Sequence, residues 1–145
     1  MKAKGKSSDE RSTDMLVGVD LVKTDRWKRI LERRPSMAEK IFTEEERKHC
    51  ESRGAKRAES YAALWGVREA AGKALGIGVF SSGWQDAHVV WTSLGAPVLR
   101  LQGNFAKRAR ELGVTEVSVS MTHEDNMAAA VVVMNGGSYD IDDSK

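Results

Sequence analysis

From Met15 the run Met-Leu-Val-Gly-Val-Asp-Leu-Val is short, apolar and β-branched, which predicts a buried strand whose one charge is Asp20. Between Thr24 and Arg34, Trp27, Ile30 and Leu31 fall at helical spacing ahead of Pro35, predicting a helix with a basic outer face. A second helix opens at Thr43, with Glu46 three residues on completing a capping box, and ends near Gly54. The longest helical pattern runs from about Ala58 to Leu75, where Tyr61, Leu64, Trp65, Arg68, Ala71 and Leu75 share a face, and Gly76-Ile77-Gly78 ends it. Gly66 and Gly72 inside that helix each cost ~1 kcal/mol relative to Ala. They imply close approach by a backbone or a ligand, or tight packing of helix on sheet. Downstream, Asp86 to Trp91 and Pro97 to Leu101 read as a strand pair around the turn Ser93-Leu94-Gly95-Ala96. A helix from Asn104 to Leu112 stops at Gly113. Val117 to Met121 alternates and Ala128 to Met134 is continuously apolar, predicting two antiparallel strands joined by a loop, 122–126, that contains His123.

Composition narrows the class. With 145 residues, 41% hydrophobic and 30% charged, the chain suits one soluble domain, expected over 14–135. Residues 1–13 are polar and expected to be a disordered extension, and 136–145 a flexible acidic tail. A net charge of +2 argues against a dedicated nucleic-acid binder, so any basic partner site is local. Cys50 is the only cysteine, which excludes an internal disulfide or a thiolate zinc cluster and fits a reducing compartment. No apolar run approaches the ~20 residues that span a bilayer, and the N-terminus lacks a signal-peptide core. A cytoplasmic protein without membrane attachment is expected.

Three places need a chemical account. Asp20, in a strand read as buried, requires a partner: Arg or Lys, solvent at the strand end, or a hard cation such as Mg²⁺. Glu69 and Lys73 stand one helical turn apart beside Arg68. They form either a solvated ion pair or, given the small residues Gly66, Ala70, Gly72 and Gly76 around them, a site for a metal-bound pyrophosphate. His123 is either a solvated loop histidine or a phosphate ligand or proton shuttle. His49 and His88 have no comparable setting.

Three blocks occur in order: Gly18-Val19-Asp20-Leu21-Val22 with Arg26 following; the run from Trp65 to Gly78 containing Arg68-Glu69-Ala70-Ala71-Gly72-Lys73; and Val119-Ser120-Met121-Thr122-His123-Glu124 followed by Ala128-Ala129-Ala130. Together they resemble the holo-acyl-carrier-protein synthase family of 4'-phosphopantetheinyl transferases, over nearly all of Leu16 to Met134. The resemblance implies an α+β fold, an antiparallel sheet packed on a long helix, assembling as a homotrimer with active sites shared between subunits. It implies transfer of phosphopantetheine from coenzyme A to a serine of an apo acyl carrier protein. In that reading Asp20 and Glu69 bind Mg²⁺, and Glu69 and Lys73 are catalytic. Arg68, Lys73, Gly76, Gly78 and His123 bind coenzyme A, and Arg26, Arg29 and Arg33 face the carrier. The family usually has Lys where this chain has Arg68, so a non-catalytic coenzyme A or carrier-binding homologue is the alternative.

Overall fold

The computed structural model describes residues 14–139, so the N-terminal extension and residues 140–145 of the expected tail lie outside the described residues. In chain order the elements are β1 (Met15–Lys23), α1 (Thr24–Arg33), α2 (Ser36–Ile41), α3 (Glu44–Glu51), a 3-10 turn (Gly54–Lys56) and α4 (Arg57–Leu75). A second 3-10 turn (Val79–Ser81) leads to β2 (Ala87–Trp91), β3 (Pro97–Leu101), α5 (Gly103–Leu112), β4 (Glu116–Glu124) and β5 (Met127–Asn135). The strands form two antiparallel sheets, one ordered β1-β5-β4 and one pairing β2 with β3. The fold is therefore α+β, with α4 laid across β1 and β5.

α4 is apolar on nearly every side, as a helix enclosed by other elements must be. Its approach to β1 is set by Gly18, where an added Cβ would lie 1.8 Å from the Ala70 carbonyl oxygen. The two glycines within α4 also meet protein. A Cβ at Gly66 would come 3.3 Å from Ala130 Cβ, and one at Gly72 would come 2.8 Å from the Ile77 carbonyl oxygen. Trp27, Phe42, Tyr61 and Trp65 form a continuous aromatic cluster under α1, with ring centroids 5.1–5.9 Å apart. That places these tryptophans in the core rather than on a base-stacking surface.

β1 differs from the strand expected. It is covered on one face only: Leu16, Gly18 and Val22 turn toward α4, while Met15, Val17, Val19 and Leu21 are 56–67% exposed. In register across the sheet, Val19 pairs with Val131 and Val17 with Val133, so an apolar face stands uncovered in the single chain. Apolar character on both faces predicts burial but does not say by what.

Three local differences have simple causes. α1 ends at Arg33, ahead of Pro35 as read, but Pro35 also leads into α2, a helix the sequence reading did not include, because its φ of −58° already suits a helix. The β4–β5 connection is only Asp125-Asn126, both at positive φ (47° and 66°) as a two-residue hairpin turn demands, so His123 belongs to a strand. Past Asn135 the chain stays on the body: Gly136 N–H donates to Asp14 O and Ser138 N–H to Leu112 O.

Candidate active site

From Ala58 to Leu75 every residue of α4 is buried except Glu59, Glu69 and Lys73. The helix is open to solvent at Glu69 and Lys73, and Asp20, the one charged residue on β1's covered face, lies within hydrogen-bond reach of Lys73. Lys73 Nζ donates to Asp20 Oδ1 at 3.2 Å and to Val19 O at 3.0 Å. The Asp20 side chain is 16% exposed and that of Lys73 56%, so Asp20's partner is a lysine at the rim. An ion pair that open contributes little to stability.

These groups line a cleft of about 680 Å³ whose walls are Asp20 on β1, Arg26 and Arg29 on α1, and Trp65, Glu69 and Lys73 on α4. Partial burial and the neighbouring Asp20 carboxylate push the Glu69 carboxyl above the ordinary range, while Lys73 and Arg26 pull it back. A second carboxylate close enough to raise the proton affinity of Glu69 suits a hard cation shared between the two. Among the described residues no cluster of three or more His, Cys, Asp or Glu stands ready for a metal. Two carboxylates beside an open cleft, with the remaining positions left to phosphate and water, is the manner in which Mg²⁺ is commonly held.

Arg68 is not in the cleft. Its side chain is 1% exposed and points into the core between α2, α3 and the chain before β2. All five of its N–H donors are used: Nε to Trp84 O, Nη1 to Glu46 Oε2 and Leu64 O, Nη2 to Glu46 Oε1 and Ile41 O. No donor is left for a phosphate, which corrects its reading as a coenzyme A ligand. Glu46 is the partner that sequence reasoning missed. Its Oε1 accepts Thr43 N–H in the expected capping box, while Oε2 accepts Val89 N–H. The capping signature was visible, but the second role depends on residues far along the chain.

Gly76 and Gly78 lie outside the lining of the cleft. Gly76 ends α4 in the left-handed region (φ 70°), which accounts for the glycine, whereas a Cβ at Gly78 would meet open space. Arg33 sits in the last turn of α1, exposed and also outside the lining. His123 is set apart from Asp20 and Glu69: its Nδ1 is 3.9 Å from Glu59 Oε2, and it lines a separate hollow of about 180 Å³ with His49, Arg53, Ser60 and Trp91.

An α+β domain whose enclosed helix opens at Glu69 and Lys73, beside Asp20 of β1 and a basic-rimmed cleft, has the donors for a metal and a phosphorylated ligand. The chain belongs to the 4'-phosphopantetheinyl transferase superfamily, whose family model matches residues 16–132. It is 41% identical over 124 residues to a holo-[acyl-carrier-protein] synthase of Streptomyces avermitilis, covering 83% of this chain and 96% of that one. Identity to the synthase of Caldanaerobacter subterraneus is 32% over 124 residues, covering 86% and 97%. Among solved structures, the ACPS–CoA complex of Chronobacterium ammoniagenes matches with a TM-score of 0.72 at 27% identity, over 84% of this chain and 97% of that one. The Neisseria meningitidis synthase matches with a TM-score of 0.69 at 26% identity, over 83% and 97%.

Proposed function

We propose that this chain transfers the 4'-phosphopantetheine group of coenzyme A to a serine of an apo acyl carrier protein, releasing 3',5'-ADP. The observation that carries this reading is the meeting of Asp20, Glu69 and Lys73 in one open cleft, on a fold shared with an ACPS–CoA complex. Asp20 and Glu69 would hold Mg²⁺, which when bound supplies positive charge to the pyrophosphate. Glu69 takes the proton of the serine hydroxyl as its oxygen bonds to the β-phosphorus and the bond to 3',5'-ADP breaks. The Lys73 ammonium steadies the charge that develops on the phosphate oxygens.

The carrier meets the basic face of α1, through Arg26, Arg29 and Arg33. Complementary charge there speeds encounter and sets orientation. A homotrimer fits two observations: the uncovered apolar face of β1 and β5, and the separation of His123 from the cleft within one chain. In that assembly His123 of one subunit serves the coenzyme A of the next. The enzyme acts in the cytoplasm, and among the described residues no helix is long and apolar enough to cross a membrane. The non-catalytic alternative rested on Arg68, and its place in the core removes that motive.

The test is incubation with coenzyme A, Mg²⁺ and a panel of apo carriers from fatty-acid, polyketide and peptide synthesis, followed by mass spectrometry. The expected result is a phosphopantetheine mass gain that requires Mg²⁺. Asp20→Ala and Glu69→Ala should each lower the rate by about 100-fold or more while leaving the fold intact. No mass gain on any carrier by a folded, assembled protein would remove the proposal.

A further inference from the structure

The last four carbonyls of a helix have no partner within it. In α4 all four are met. Gly72 O accepts Ile77 N–H at 3.0 Å and Lys73 O accepts Gly76 N–H at 3.2 Å, both local bonds of the turn at Gly76. The other two partners are remote. Leu75 O accepts Arg108 Nε–H from α5 at 3.0 Å, and Ala74 O accepts the hydroxyl of Tyr139, which also lies 3.3 Å from Lys73 O. The Tyr139 ring rests on Gly76, where an added Cβ would come 3.0 Å from Cε1.

The path that delivers Tyr139 is closely built. Gly137 is buried where a Cβ would meet Val114 Cγ2 at 2.8 Å and Leu16 Cδ1 at 2.9 Å, and the next residue, Ser138, is held by Leu112 O. This strap, Gly136 to Tyr139, lies beyond the residues 16–132 that match the family model. Lys73 begins the turn that the strap closes. Its ammonium reaches across to Asp20 and Val19 O on a four-carbon stem, so its position is only as well defined as that turn.

We infer that Tyr139 is a positioning residue for Lys73, acting by capping the last turn of α4. Its importance to turnover rests on the proposed transfer reaction; the capping itself does not. Two variants remove the cap differently. Tyr139→Phe deletes only the hydroxyl, and Gly137→Val displaces the strap. In both, hydrogen exchange of the Gly76 and Ile77 amides should speed up about fivefold, the loss of one hydrogen bond, while amides of β4 and β5 keep their rates. The NMR signal of the Lys73 ammonium should move toward that of a free lysine. Turnover should fall about fivefold with the KM for the carrier unchanged, and in a Lys73→Ala background Tyr139→Phe should have no further effect.

Unchanged exchange at Gly76 and Ile77 in both variants would overturn the capping. Faster exchange with an unmoved Lys73 signal would overturn the positioning of Lys73. Where the unaltered chain shows no transfer, the reaction reading fails alone, and the exchange and ammonium measurements still decide the inference.

Discussion

At the scale of the residue, Glu69 concentrates the chemistry of the cleft. Burial raises its proton affinity first and Asp20 second, with Lys73 and Arg26 opposing. In the metal-free chain the folded state therefore binds this proton more tightly than the unfolded state. Stability attributable to Glu69 is greatest at low pH and is lost as pH rises through the folded-state value. Glu69→Gln should accordingly raise the melting temperature of the metal-free protein at neutral pH, by about 1–3 °C. The gain should vanish below about pH 4, where the carboxyl is protonated in both states. Adding Mg²⁺ with coenzyme A should reverse the order, because only the unaltered chain has both carboxylates to bind it. Melting of the unaltered chain that ignores Mg²⁺ under those conditions would remove the metal assignment.

At the scale of the element, α4 is held in rotation by the buried Arg68–Glu46 pair, which ties it to α3, to β2 through Val89 N–H and to the segment before β2 through Trp84 O. Rotation matters because Glu69 is the next residue. Removing one partner leaves a charge stranded in the core, so Glu46→Ala should cost about 3–5 kcal/mol in urea unfolding. The double change Glu46→Met with Arg68→Met should cost less than either single change. Arg68→Lys cannot span the same five bonds and should destabilise by about 1–3 kcal/mol, yet leave coenzyme A affinity within about twofold. A large loss of coenzyme A affinity in a folded Arg68→Lys protein would return this residue to the binding site.

At the scale of the whole molecule, the proposed assembly is tested at the uncovered face of β1 and at His123, which one chain holds apart from Glu69. Val19→Lys should give monomers by light scattering and abolish transfer. Glu69→Ala and His123→Ala proteins, each inactive alone, should recover part of the activity when mixed under conditions that exchange subunits. Failure of that complementation with exchange verified would place each complete site within one chain. Arg26→Glu should raise the KM for the carrier more than that for coenzyme A, and the difference should shrink with added salt.

The order of the strands and of every helix but α2, the capping box at Thr43 and the closing glycines at Gly76 and Gly113 were legible in the sequence, since each depends on neighbours within a few residues. So was the nearness of Glu69 to Lys73, a matter of helical pitch. Tertiary structure alone decided the rest. Arg68 looked like part of the Glu69 motif, but its partner stands 22 residues away, and nothing in the local pattern marks Glu46 as more than a cap. The apolar run of β1 does not reveal that one face waits for another surface. Tyr139 returns to α4 across 65 residues, in a stretch that reads as an acidic tail. Periodicity records which faces are apolar and which termini are capped, because those are short-range constraints. Which charge meets which, and what covers an apolar face, depends on contacts between segments distant in the chain.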